Sequence, residues 1–236
     1  MRDYICCLKK INKTDRYDLL NDKWLSDTGQ KSKSTDLINQ QLGDLPFASE
    51  PEITKDIVSK LEQGSINTVN AVVLHRTGGA SMASAIATLK ASGIGTHFII
   101  DKDGTIKQTA NTDKYTYHIG KVRARCMEEG TCSAEEAKKI KSFGWSTDKI
   151  HDNEKTKNYP ERYPINADSL GIEVVGQYSK STKTWDQATA RQKTSINFLI
   201  KKLQKAYNLT DRDIYEHDKI SYKTAGEGGD LYSGGN

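Results

Sequence analysis

Two histidines in this chain each close a short apolar run and stand just before a loop. His75 ends "VNAVVLH" and precedes "RTGG", while His217 ends "DIYEH" and precedes "DKISYKTAGEGGDLY". One histidine in such a place is by default a core or surface residue with a satisfied ring. Two in equivalent places can meet on one metal, because the strand ends of an α/β sheet are where side chains project into a ligand crevice. A hydrolytic zinc site needs three protein ligands and a position left for water. The loop after His217 offers Glu227 and Asp230 as the third, and its glycines allow the tight bends that would turn either one back. An acidic oxygen beside two imidazoles suits Zn2+, which lowers the pKa of its bound water to about 7. Glu173, a carboxylate inside the otherwise apolar "LGIEVV", could be the base, since burial there would raise its pKa towards the range useful for proton transfer. The plain alternative is a strand glutamate facing solvent. Lys223, in the loop after His217, could stabilise the oxyanion formed when an amide carbonyl is attacked, although alone it is one lysine among many.

These residues need strands to carry them. "VNAVVLHRT" reads as a buried strand, "SMASAIATLKASG" as a helix, and "GTHFIIDKDGTIKQTA" as a hairpin whose Asp-Gly supplies the turn. "SLGIEVVG" and "DIYEH" read as further strands. Between them "DQATARQKTSINFLIKKLQKAYN" is a long amphipathic helix with Ile196, Leu199, Ile200 and Leu203 on its apolar face. Strands alternating with helices define an α/β domain with a mixed central β-sheet flanked by helices. Residues 1–65 form an N-terminal arm and helix packed on this core. The arm is polar and broken, with "LINQQL" as a helical turn, and the helix is expected at "EITKDIVSKLEQG", where Ile53, Ile57, Val58 and Leu61 share a face. Residues 66–236 form the main domain. Within it a charged excursion at about 121–165, with one short helix at "SAEEAKKIKSFG", could shape a substrate groove.

Composition removes several classes of function. With 35 Lys+Arg against 31 Asp+Glu the formal net charge is +4, far below that of a dedicated nucleic-acid binder, so no nucleic-acid partner is expected. No apolar run approaches the roughly 18 residues of a membrane span. The start, "MRDYICCLKKINKTDRYD", lacks the apolar core and cleavage site of a signal peptide, so export would need another route or a separate leader. Cys126 and Cys132 could close a small loop in an oxidising compartment, with free thiols as the alternative. Their spacing does not suit zinc, and the adjacent Cys6 and Cys7 do not resemble a metal knuckle.

The ordered blocks "VVLHRT", "GTHFIIDKDGTIKQ", "YHIGK", "SLGIEVVG" and "YEHDKISYKTAGEGGDLY" resemble the zinc-dependent N-acetylmuramoyl-L-alanine amidases of the type 2 family, which includes phage amidases and peptidoglycan recognition proteins. The resemblance covers about residues 66–233. It implies hydrolysis of the amide between muramic acid and the L-alanine of the peptide stem, with Zn2+ as cofactor and peptidoglycan or a muropeptide as substrate. Carried over by position, the family's zinc histidines fall on His75 and His217, its water-activating glutamate on Glu173 and its lysine on Lys223. His118, in "YHIG", matches a histidine beside the substrate, with Tyr117 and Thr96 as further substrate-binding positions; His97 is expected to be structural. Family members usually place an aspartate or cysteine eight or ten residues after the second histidine. Those positions hold Ala225 and Glu227, so the longer spacing selects Glu227, with Asp230 as second choice. The resemblance suits a wall-degrading lysin or a secreted antibacterial effector acting in the periplasm or cell wall, with a secretion apparatus or an immunity protein as partners. A cytoplasmic recycling enzyme is also compatible. The alternative from another class is a catalytically inactive peptidoglycan-binding module of the same fold, which Ala225 would mark if the shorter spacing applied.

Overall fold

The computed structural model describes residues 50–234 and, before them, two short strands, β1 (Arg16–Asp18) and β2 (Lys23–Leu25). The chain divides into two compact units, Met1–Glu50 and Pro51–Asn236. In the first, β1 and β2 pair antiparallel. The rest of the expected arm, including "LINQQL", Cys6 and Cys7, lies outside the described residues.

The second unit contains β3 (Ile53–Lys55), β4 (Gly64–Ser65), β5 (Ala71–Arg76), α1 (Met82–Ser92), β6 (Phe98–Ile100), β7 (Ile106–Gln108) and β8 (Lys114–Tyr115). The excursion follows with α2 (Arg125–Glu128), α3 (Ala134–Ser142) and α4 (Thr147–Lys155). The chain then runs through β9 (Ser169–Val174), β10 (Tyr178–Ser179), β11 (Thr184–Trp185), α5 (Ala190–Tyr207), β12 (Ile214–Glu216) and α6 (His217–Ile220). Six strands form the main sheet in the order β12-β5-β9-β6-β7-β3. Every neighbouring pair is parallel except β6 and β7, the expected hairpin. Gly104 makes its turn at φ 89°, a backbone state that costs glycine little.

The register assigns the faces. Val73 pairs with Gly171, His75 with Glu173, and Glu173 in turn with Ile99, so these side chains share one side of the pleat. On that side Ile99 packs with Met82, Ile86 and Leu89 of α1 and with Val58 and Leu61. Val73 packs with Ile119, Val122, Tyr163 and Ile220. Leu74, Ile172, Phe98 and Ile100 point to the other side and are fully buried. There α5 packs on β6 with Ile196, Leu199, Ile200 and Leu203 inward. The helix starts where Thr189 and Gln192 form a reciprocal cap, and Gln192 also donates to the Val175 carbonyl. Each buried aliphatic side chain in this layer contributes about 1.5–3 kcal/mol, so Leu199→Ala would cost roughly 2–5 kcal/mol.

Two expectations need correction. The helix read at "EITKDIVSKLEQG" is instead β3 followed by a single 3-10 turn at Ser59–Leu61. Ile53 pairs with Ile106 at the sheet edge, and the Thr54 hydroxyl donates to the Ile106 carbonyl. An open strand edge offers this β-branched stretch more backbone bonds than an isolated short helix would. Residues 51–65 therefore belong with the main unit, and the break falls after Glu50 rather than at 65. The excursion is also more ordered than its polarity suggests, because it is pinned by polar anchors. Glu154 is fully buried, accepts from the Arg125 amide and pairs with Lys157, which also meets Glu136. Arg162 pairs with Asp168 at 2.8 Å. Cys126 and Cys132 are joined as a disulfide.

Candidate metal centre and active site

The carboxyl ends of three adjacent parallel strands build the site. His75 is the penultimate residue of β5 and Glu173 the penultimate residue of β9. His217 follows the last residue of β12 and opens the single turn of α6. Glu227 enters from the following loop. His75, His217 and Glu227 place one donor atom each within 4.8 Å of one another, and they are the only such group of three among the described residues. Asp230, the second choice, lies outside this group; it is exposed, at a positive φ of 58°. Ala225, which the shorter spacing would have made the ligand position, is exposed, and its carbonyl accepts from the Trp185 indole.

The proton inventory shows which atoms are free. Ser169 Oγ donates to the Ile165 carbonyl at 2.8 Å and so accepts from His118 Nε2 at 3.3 Å. His118 Nδ1 then carries a lone pair and accepts from His75 Nε2 at 3.1 Å. That leaves His75 Nδ1 unprotonated and turned to Glu227 Oε1, 3.7 Å away. His217 Nε2 donates to the Ile119 carbonyl at 2.8 Å, which turns its Nδ1 to Glu227 Oε1 at 2.7 Å. A neutral imidazole nitrogen and a carboxylate oxygen are both acceptors. At 2.7 Å they require a cation between them, a proton or a metal ion.

The electrostatics agree. Burial, with the nearby His217 second, pushes His75 down to about 3, so its ring is neutral at physiological pH. Burial would raise Glu227, but its close contacts with His217 and His75 outweigh it and hold the carboxyl at about 2, the direction expected of a carboxylate that faces a shared cation. Glu173 is raised to about 8, by burial first and then by the negative charge of Glu227. Two carboxylates on one site are thereby driven apart, one ionised and one that keeps a proton. Lys223 is exposed and close enough to favour the ionised form of Glu173, and its Cε lies 3.9 Å from where a side chain on Gly120 would begin.

Two of the expected substrate-binding residues turn out to lie behind the site. Thr96 is 1% exposed, with its hydroxyl donating to the Phe98 carbonyl, so no ligand can reach it. His118 is buried between His75 and Ser169 and holds the first histidine rather than a substrate. Burial and the neighbouring histidines keep it well below the ordinary histidine value. Tyr117 is 46% exposed and remains open to a ligand. His97 is structural, as expected: its Nε2 donates to the Lys114 carbonyl and its Nδ1 accepts from the Gly171 amide. Sequence reasoning missed Ser169 and Gly171, although they precede Glu173 at intervals of two on the same strand face. Gly171 is required, since a Cβ there would stand 2.7 Å from Thr96 Cγ2 and 2.8 Å from His118 Nδ1.

With this geometry in view, the comparisons with known proteins become specific. The family model described as N-acetylmuramoyl-L-alanine amidase matches residues 65–229, well over half the chain, and the chain belongs to this family. It is a hydrolase of the peptidoglycan amidase class. Similar solved structures include the endolysin amidase LysCS from Clostridium intestinale URNW, at 21% identity over 73% of this chain and 85% of that one, with a TM-score of 0.43. The Staphylococcus aureus hydrolase AmiA in complex with its ligand shares 16% identity over 73% and 68%, TM-score 0.44. A selenomethionine derivative of AmpD shares 16% over 81% and 94%, TM-score 0.48. At these values the likenesses carry no argument, and membership rests on the family match. No curated protein matches the chain.

Proposed function

We propose that the protein is a zinc-dependent amidase that cleaves the bond between N-acetylmuramic acid and L-alanine in peptidoglycan, with His75, His217 and Glu227 as the metal ligands. The observation that carries this is the facing pair His217 Nδ1 and Glu227 Oε1, two acceptors that need a cation, with the unprotonated His75 Nδ1 turned to the same point. The donor set fits zinc, which takes imidazole nitrogen and carboxylate oxygen in a tetrahedral site with one position open. A zinc ion there supplies Lewis acidity and makes water nucleophilic near neutral pH.

The remaining chemistry belongs to the chain. Glu173 lies beside His75 and takes the proton of the attacking water. A pKa near 8 in the metal-free site becomes useful once a divalent cation favours the ionised form. The same carboxyl, now protonated, gives that proton to the leaving amine. Lys223 brings positive charge to the carbonyl oxygen as it becomes an oxyanion. Behind them His118 and Ser169 hold the His75 ring with Nδ1 forward.

The Cys126–Cys132 disulfide supports action outside the reducing cytoplasm, on the wall, as a lysin or an exported wall-degrading effector. The direct test is digestion of a purified disaccharide-peptide with the protein. Release of a peptide whose new amino terminus is L-alanine, abolished by a chelator and restored by zinc, is expected. Binding to peptidoglycan with no release would mean an inactive module.

A further inference from the structure

The loop that carries Glu227 runs between the ends of β5 and β12, and each strand end contributes one charged residue to it. Arg76 directly follows His75, and Asp218 directly follows His217. Arg76 Nη1 donates to the carbonyls of Gly226 at 2.8 Å and Gly229 at 2.7 Å, with the Glu227 carbonyl at 3.2 Å. Asp218 accepts from the other polarity of the same backbone, with Oδ2 on the Gly226 amide at 2.8 Å and Oδ1 on the Gly228 amide at 3.1 Å. Both side chains are buried, at 6% and 8% exposure. At the centre, Gly228 lies so close to both strands that a Cβ on it would stand 2.5 Å from the Leu74 carbonyl oxygen and 2.7 Å from the His217 amide nitrogen.

We propose that Arg76 and Asp218 are paired positioning residues that fix Glu227 against the two histidines, so that the site's affinity for its metal depends on them although neither reaches the ion. Contacts made only to tie down a C-terminal segment could lie anywhere along it. These converge on the residues flanking Glu227, and they begin at the residues next to His75 and His217. All three ligand backbones are thereby referenced to one another. Metal–ligand bonds tolerate only about 0.2 Å of error, so a loop free to drift by much more would open the site. Supporting residues of this kind typically change metal affinity about 10–100-fold.

The inference rests on the zinc reading, and its test separates the two. Zinc affinity is measured by competition with a chromophoric chelator, and ligand geometry from the visible spectrum of the cobalt(II)-substituted protein. The variants are Arg76→Met, Asp218→Asn and Glu227→Ala, with Leu203→Ala in α5 as a control that destabilises the fold away from the site. Arg76→Met is expected to weaken zinc binding about 10–100-fold and to shift the cobalt spectrum towards that of Glu227→Ala. Asp218→Asn keeps one acceptor and turns a donor on the other amide. It should act in the same direction and provides the reading if Arg76→Met does not fold. Leu203→Ala should lower the melting temperature with little change in zinc affinity. Wild-type affinity and a wild-type cobalt spectrum in the Arg76 and Asp218 variants would overturn the pairing while leaving the zinc site in place. So would losses no larger than that of Leu203→Ala. Failure of the wild-type protein to bind zinc at all would instead overturn the zinc reading, and the pairing with it.

Discussion

Glu173 stands directly beside His75, its Cα partner in the parallel register of β5 and β9, so the proposed base and the first metal ligand share one face of the sheet. The relationship is set by strand pairing rather than by a loop, which fixes it closely. Glu173→Gln keeps the shape and removes the carboxyl that takes and returns the proton. A fall in kcat of about 10²–10⁴-fold with unchanged zinc content is expected, checked by amidase kinetics beside metal analysis. Retained turnover would assign the proton transfer to another group.

The two acidic candidates of the last loop are distinguishable by metal content. Glu227→Ala removes a proposed ligand and should leave the purified protein with little zinc, a larger effect than the ~10–100-fold that loss of a supporting residue costs. Asp230→Ala, changing an exposed side chain outside the cluster, should bind zinc as the parent does.

Acidity in the metal-free protein provides a third check. The folded state holds the Glu173 proton up to about pH 8, against an ordinary value of 4.5. Between those values the folded form binds more protons than the unfolded form, so stability falls as pH rises and the full penalty is present above about 8. Glu173→Gln removes that penalty. Melting temperatures of the chelator-treated proteins should therefore diverge from about pH 4.5 upwards, with the variant increasingly the more stable, and run parallel beyond pH 8. A gap that does not change with pH would contradict the raised pKa of this carboxyl.

Gly171 is the tightest point beneath the site. A methyl group there would overlap Thr96 and His118, so Gly171→Ala should cost about 1–3 kcal/mol, read by denaturant unfolding. Because the displaced ring holds His75, zinc affinity should fall as well.

Much of this arrangement was legible in the sequence because strands advertise themselves by short apolar runs and the candidate site residues interrupt them. His75, Glu173 and His217 each stood out in that way, whereas the residues alone left Glu227 and Asp230 both open and only the resemblance to the family's ligand spacing favoured Glu227. What stayed hidden has physical causes. The edge strand at Ile53–Lys55 is made by its pairing with β7, a non-local contact that local periodicity cannot show. The excursion is held by buried polar pairs such as Arg162–Asp168 and Lys157–Glu154, which read locally as solvated charge. His118 and Thr96 were expected at the substrate because the family resemblance carries substrate-side positions onto them. Only the third dimension shows that they back it from within the core.

The central claim is that two imidazoles and one carboxylate converge on a zinc ion, and X-ray absorption at the zinc edge of the purified protein tests it most directly. Four nitrogen or oxygen neighbours at about 2.0–2.1 Å, with the outer-shell scattering of two imidazole rings, are expected. Sulfur scattering at about 2.3 Å, a single imidazole, or a protein that takes up no zinc would contradict it.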